Sequence, residues 1–229
     1  MRRGKKYSTK TKGLDRNISY TLEDGIKKVK TLSYSKFPGT LELHLDIVIP
    51  KDKDPKSIKG GVSLPHSSST KSVRIAVFAT PDKDAEAKKA GADLVGMEQI
   101  IKDVKAGKVE FDVAIATPSV MPKIAIIGKE LGPKGLMPNP KNGTVTDDIA
   151  SAVSEYKKGK QTFACDASGV IHMNVGKLDL DNEKLEENIH SAISAILNIL
   201  GKQYEQGVHR MHLAPTMGPS IKISYSKPE

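Results

Sequence analysis

Residues that could do chemistry are few in this chain and poorly spaced for catalysis. Cys165 is the only cysteine, which leaves no intrachain disulfide and no paired-cysteine metal motif. His209 and His212 lie three positions apart in a segment with strand character, so they would point to opposite faces and would not share a metal ion. No serine occupies a nucleophile elbow. We therefore predict no catalytic residue and no metal site.

A site for a nucleotide or a methyl donor is the second chemical possibility, because short apolar strands alternate with helical segments from Val73 onward. The first strand-to-helix turn reads FATPDKDAE and lacks the glycines that let backbone amides approach a pyrophosphate. The segment GKELGPKG lacks the lysine-serine or lysine-threonine pair of a phosphate loop. An α/β enzyme is thus the competing class, while we predict a protein that is not an enzyme and holds no cofactor.

The charge balance indicates a polyanionic partner. Lys and Arg number 36 against 27 Asp and Glu, for a net charge of +9, with the excess in residues 1–66. Aromatic residues make up only 4% of the chain and tryptophan is absent, which argues against recognition by base stacking. The mode that remains is recognition of a folded RNA by backbone amides, hydroxyls and a few charges. A nonspecific DNA-binding protein is the alternative.

The first 13 residues, MRRGKKYSTKTKG, carry much of the positive excess. They contain no apolar residue able to anchor a core, so they would form either a solvated tail or an arm that contacts phosphates. No apolar stretch follows them as in a signal peptide, and no segment reaches the length of a membrane span. The sequence predicts a soluble cytoplasmic protein with no membrane partner.

Periodicity predicts the elements that would position the polar residues. Apolar spacing predicts a helix over 22–32 with Thr21 as its N-cap, and a long amphipathic helix over 182–200 that stops at Gly201. A hairpin is expected over 163–175. The segment TLELHLDIVIP alternates apolar residues with Glu42, His44 and Asp46, so one face of its strand must meet water or a ligand.

Together these elements predict an α+β protein of two domains. Neither terminal third is large enough for a core, so residues 1–66 and 159–229 are predicted to form one discontinuous α+β domain. Residues 67–158 contain repeated strand-helix units, including a helix over 119–132, and are predicted to form an inserted Rossmann-like α/β domain. The connectors, 64–71 and 156–160, would act as a two-strand hinge.

The segment GKELGPKGLMPNPKNGTV, residues 128–145, resembles the signature of the ribosomal protein L-one family, which belongs to the mobile side stalk of the large ribosomal subunit. The agreement continues through KF at 36–37, SLPH at 63–66, AGAD at 90–93, ATP at 116–118 and TMGPS at 216–220. The resemblance implies a structural, non-enzymatic protein with a terminal α+β domain and an inserted α/β domain.

The resemblance also implies the partners and the contact residues. The protein would bind the side-stalk region of large-subunit rRNA, assist release of deacylated tRNA from the exit site, and repress translation of its own operon mRNA. It would act as a monomer within the cytoplasmic ribosome. The RNA contacts at matching positions would be Lys36, Phe37, Thr40, Glu42, Thr216, Met217, Gly218 and Ser220. Secondary RNA contacts would come from Lys134, Lys141, His172 and Lys177.

These residue types suit RNA recognition. A hydroxyl at Thr216 can bond a ribose 2′-OH, and Met217 can cover a sugar or base face. Gly218 would let the backbone approach RNA closely. Glu42 repels phosphate, so its use would be as an acceptor for a 2′-OH or a base amino group, which favours RNA over DNA.

Overall fold

The computed structural model describes residues 4–15, 17–49, 54–66, 73–107, 109–200 and 208–224. The helix stop expected at Gly201 and most of the first predicted connector lie outside these residues. The chain divides into two compact units. We call Met1–Ser69 with Gln161–Glu229 the terminal unit, and Thr70–Lys160 the central unit.

Helices and strands are mixed along the chain, which confirms the prediction of a mixed α+β protein. The α-helices are α1 (Lys5–Thr11), α2 (Leu22–Leu32), α3 (Pro81–Lys89), α4 (Met97–Lys105), α5 (Met121–Ile124), α6 (Gly128–Leu131), α7 (Ile149–Lys157) and α8 (Asn182–Leu200). The strands are β1 (Ser19–Tyr20), β2 (Thr40–Ile47), β3 (Lys59–Val62), β4 (Ile75–Phe78), β5 (Leu94–Val95), β6 (Val113–Ala116), β7 (Gln161–Cys165), β8 (Val170–Lys177), β9 (Val208–Pro215) and β10 (Ile221–Ile223).

Within the described part of the terminal unit, seven strands form one sheet in the order β1-β10-β9-β2-β8-β7-β3. Its pairs are antiparallel except for β1 with β10. Strand β2 buries the apolar residues at its alternate positions in a core shared with α2 and α8. The opposite face, which carries Glu42, His44 and Asp46 of β2, is partly exposed. We call it the open face.

The predicted elements of the terminal unit are confirmed. Helix α2 begins after Thr21, whose hydroxyl accepts a hydrogen bond from the backbone N–H of Asp24 at 3.3 Å. The hairpin β7–β8 turns at Asp166, whose Oδ1 accepts from the N–H groups of Ser168 at 2.8 Å and Val170 at 2.9 Å. Helix α8 runs from Asn182 to Leu200, as its apolar periodicity predicts.

The fully buried side-chain amide of Asn188 joins α8 to His66, which lies near the end of the N-terminal segment of the terminal unit. Asn188 donates to the carbonyls of Val175 at 2.8 Å and His66 at 3.0 Å, and it accepts from the His66 N–H at 3.0 Å. The His66 ring also lies 2.6 Å from the carboxylate of Glu187. These bonds hold His66 against α8 and β8.

The central unit is built on a parallel sheet in the order β5-β4-β6. One apolar cluster, which includes Phe78 and Ile124, packs on one side of β4, and another, which includes Val77 and Val153, packs on the other. The alternating strand-helix pattern of the sequence requires this arrangement, because each parallel connection crosses back over the sheet.

The prediction of one continuous helix over 119–132 is wrong. Its apolar stripe is buried as expected, but the segment is broken into turns of 3₁₀-helix at Pro118–Val120 and Ala125–Ile127 that alternate with α5 and α6. Proline at positions 118 and 122 removes backbone donors, and the run of isoleucines that follows is a weak helix former.

Four further features differ from the sequence prediction. Part of the basic N-terminal segment forms α1, which buries none of its residues. The short strands β1 and β3 were not predicted, because two residues, or a segment as rich in glycine as KGGV, carry little periodic signal. The proposed second connector begins inside α7, where Tyr156 is 1% exposed.

Candidate nucleic-acid interface

The start of β2 and the loop after β9 are joined through Thr40 and Thr216. The Thr216 hydroxyl accepts from the Thr40 N–H at 2.9 Å and donates to the Thr40 carbonyl at 3.1 Å. The Thr216 N–H donates to the same carbonyl at 3.0 Å. The sequence assigned this hydroxyl to RNA, whereas in the fold it first holds the two chain segments together.

Two large apolar side chains are exposed beside this junction. Phe37 is 56% exposed and Met217 is 40% exposed. Their loops are tied together, because the Tyr34 N–H donates to the Met217 carbonyl at 3.2 Å. The Ser35 hydroxyl, in turn, donates to the Phe37 carbonyl at 2.7 Å. Such side chains, presented on fixed loops, can cover a sugar or a base face.

Glycine at position 218 is required by the packing of the protein itself. A Cβ atom there would lie 2.6 Å from Cγ of Pro215 and 3.2 Å from the carbonyl oxygen of Leu32. From the sequence, this glycine is expected to let RNA approach the backbone closely. The structure gives it a different first role, which is to let the 216–220 loop lie against the end of α2.

The other predicted contacts of the terminal unit lie around the same strands. Lys36 and Ser220 are exposed on the two loops. Glu42 lies between Ala214 of β9 and Asn174 of β8 in the sheet register. Lys177 pairs with Thr40 across β8 and β2. The primary contact positions and Lys177 therefore fall on neighbouring elements of the terminal unit, and His172 lies further along β8.

The signature segment belongs to the central unit. Asn139 caps the turn Pro140–Asn142 by accepting from the Lys141 N–H at 2.9 Å, and its own N–H donates to the Thr144 hydroxyl at 2.7 Å. The Tyr156 hydroxyl donates to the Asn142 carbonyl at 2.8 Å. Burial, and then the nearby charge of Glu155, raise the pKa of Tyr156 to about 12. The side chains of Lys134 and Lys141 are exposed on this fixed loop.

A transverse row of cross-strand neighbours, most of them polar, crosses the open face and was not predicted. Cross-strand neighbours in this row are Lys222, His212, His44, His172, Ala164 and Lys59. The alternation of β2 placed His44 on this face, but the register that sets three histidines side by side depends on strands far apart in sequence. Only pairing information could have found the row.

Within this row, the rings of His44 and His172 are in direct contact. Their Nδ1 atoms are 2.7 Å apart, and the two rings meet edge to face. Burial, followed by the charges of His172 and His212, lowers the pKa of His44. Hydrogen bonds from Val170 and Ser168 and the neighbouring His172 lower the pKa of the Asp166 carboxyl.

Among the described residues, no group of three or more His, Cys, Asp or Glu side chains is arranged to hold a metal ion. His209 is exposed, and His212 belongs to the transverse row on the open face. None of the helices that the structure describes has both the length and the apolar character needed to cross a bilayer.

Comparison with known proteins gives consistent matches over almost the whole chain. The Ribosomal protein L1p/L10e family matches residues 27–219. A large ribosomal subunit protein uL1 from Thermosipho africanus is 46% identical over 221 residues, which cover 96% of this chain and 95% of the relative. The protein of the same name from Kosmotoga olearia is 40% identical over 227 residues, covering 99% and 98%. The one from Fervidobacterium nodosum is 45% identical over 221 residues, covering 96% and 94%.

Proposed function

Because the chain belongs to the ribosomal protein L1p/L10e family, we propose that it is a structural protein of the large ribosomal subunit that binds the side-stalk region of large-subunit rRNA. The family consists of ribosomal proteins, so the competing α/β enzyme is set aside. The protein acts as a monomer within the cytoplasmic ribosome. It assists release of deacylated tRNA from the exit site and represses translation of its own operon mRNA.

The observation that carries the rRNA proposal is the pair of exposed apolar side chains, Phe37 and Met217, beside the Thr40–Thr216 junction. Fixed apolar surface next to backbone groups and a few polar side chains suits a folded RNA whose sugars and splayed bases are read by shape. Lys36, Glu42, Gly218 and Ser220 complete this contact surface, with His172 and Lys177 as additional contacts.

We propose that the two compact units are separate domains, and that the central one is inserted into the terminal one through two connecting segments. Lys134 and Lys141, exposed on the hydrogen-bonded signature loop, provide a second phosphate contact in the assembled ribosome. Replacing both lysines with alanine should lower rRNA or tRNA affinity and flatten its salt dependence. Unchanged affinity and salt slope would remove them from the interface.

The main test compares the affinity of the whole chain for a side-stalk rRNA fragment with its affinity for a scrambled hairpin of the same length, at physiological salt. Specific recognition predicts a preference of about a thousandfold or more. Equal and weak binding of both RNAs, or of any DNA duplex, would indicate a generic basic surface and contradict the proposal.

Met217→Asp tests the site within that assay. The added charge repels phosphate and removes the apolar contact, so we expect a loss of about 1–3 kcal/mol in binding free energy with the fold intact. Ile126→Asp is the matched control, because Ile126 is an apolar side chain 66% exposed in the central unit. Wild-type affinity of a folded Met217 variant would remove the 216–220 loop from the site.

A further inference from the structure

Four side chains on the open face form a continuous chain of titratable groups. Oε2 of Glu42 lies 3.7 Å from Nε2 of His44, and Nε2 of His172 lies 3.6 Å from Oδ2 of Asp166. The Nδ1 atoms of the two histidines, 2.7 Å apart, join these halves. We call this set, Glu42–His44–His172–Asp166, the imidazole chain.

The geometry fixes how many protons the imidazole chain can hold. The contact between the two Nδ1 atoms accommodates one proton, because one ring must donate and the other accept. When both rings are neutral, the ring that donates at Nδ1 leaves its own Nε2 without a proton in front of a carboxylate. One added proton fills that position and gives the pair a single positive charge between two carboxylates. A second added proton would bring two N–H groups together in the middle and break the contact.

The two rings of the imidazole chain differ in their exposure to water. His172 has 53% of its side chain exposed and lies beside Asp166, whereas only 22% of the His44 side chain is exposed. Burial is the main cause that lowers the pKa of His44. In the charged chain, one ring donates from Nδ1 to the other, and each ring directs its Nε2–H towards the neighbouring carboxylate.

The charged and titratable groups that surround the two rings on this face come from four strands and one turn. They are Glu42 and Asp46 on β2, Asp166 in the β7–β8 turn, Arg210 and His212 on β9, Lys222 on β10 and Lys59 on β3. Burial and the charges of Arg210 and Lys222 lower the pKa of His212. The imidazole chain thus has a carboxylate at each end, whereas His212 has basic residues beside it.

We propose that the His44–His172 pair takes up one proton when RNA binds, and that the charged pair positions the Glu42 carboxylate for its RNA contact. This inference rests on the proposed rRNA binding. Phosphates that approach the open face make the local potential more negative, which favours the charged pair. By linkage, RNA affinity then rises as the pH falls through the range in which histidine titrates.

The test measures the affinity for the side-stalk fragment between about pH 8 and about pH 6 at constant salt. Uptake of one proton changes the dissociation constant by at most about tenfold per pH unit. Over the whole range, from about pH 8 down to about pH 6, we expect the RNA affinity to rise by about three- to tenfold. His172→Gln and Asp166→Asn should flatten this dependence. His190→Gln should retain it, because His190 lies on α8, which packs against the buried face of the sheet.

Imidazole nitrogen NMR provides a second measurement on the wild-type chain. RNA should shift the titration of one coupled histidine pair upward in pH, and this shift should disappear in His172→Gln. An unchanged pH dependence in a folded His172 variant, or histidine titrations that RNA leaves unmoved, would overturn the inference. Equal affinity for the scrambled hairpin at every pH contradicts the proposed function, whereas a clear preference without any pH slope contradicts this inference alone.

Discussion

Thr216 and Gly218, two residues of the proposed contact loop, have roles in the fold itself. The hydroxyl of Thr216 both accepts from and donates to the backbone of Thr40. It keeps only part of its hydrogen-bonding capacity for a partner. Gly218 is enclosed by Pro215 and by the last turn of α2. The residue types were predictable from the TMGPS motif, but these roles depend on contacts between segments that are distant in sequence.

Gly218→Ala should therefore reduce both stability and RNA affinity. The new methyl group would overlap the Pro215 ring and crowd the Leu32 carbonyl, so the loop must shift at a cost of about 1–3 kcal/mol. Urea unfolding measures the loss. Gly128→Ala is the control, since open space surrounds that position. Equal stability of the two variants would show that the loop accommodates a side chain.

The elements differ in how far the sequence determines them. Helices α2 and α8 were predictable because their apolar spacing agrees with the packing they adopt, and Thr21 caps α2 as expected. The segment 119–132 has the same kind of apolar stripe, yet its prolines and isoleucines divide it into short turns. The transverse row of histidines was beyond prediction, because register is set by strand pairing rather than by the strand itself.

Tyr156 links α7 to the signature loop, and this link should depend on pH. The phenol in the unfolded chain ionises near its ordinary value of 10, whereas its pKa in the fold is about 12. Its contribution to stability is therefore complete below pH 10 and is lost as the pH rises towards 12.

Tyr156→Phe should lower the free energy of unfolding by about 1 kcal/mol at neutral pH, because the hydrogen bond to the Asn142 carbonyl is lost. The variant should also lose less stability than the wild type in alkali. Urea unfolding at about pH 8 and about pH 10.5 measures both effects. Tyr34→Phe, at a partly exposed position, is the control. An alkaline loss as large as that of the wild type would show that another group is responsible.

The path of the chain through the terminal unit leads us to predict that the central unit can be removed without unfolding the terminal unit. The chain leaves by β3 and returns by β7, and Val62 of the outgoing strand pairs directly with Gln161 of the returning one. Asn188 fixes His66 on the outgoing side. Among the described residues, the buried core of the terminal unit comes from its own two segments alone.

Replacing residues 67–160 with a glycine-serine linker of about eight residues should therefore leave a folded terminal unit, since such a linker spans up to about 27 Å. Circular dichroism and cooperative thermal unfolding test the fold. If rRNA binding belongs to this unit, the affinity for the side-stalk fragment should stay within about tenfold of the whole chain. A shortened chain that unfolds without cooperativity would show that the central unit is needed for the fold.

The single cysteine lies on the buried side of β7, where Cys165 is 5% exposed. Burial and the neighbouring Asp166 raise the pKa of its thiol to about 11, so the reactive thiolate is scarce at neutral pH. A maleimide reagent would react with Cys165 only when β7 separates from its neighbours. A cysteine introduced at an exposed position such as Ser220 can thus carry a fluorophore or a spin label while the native cysteine stays in place.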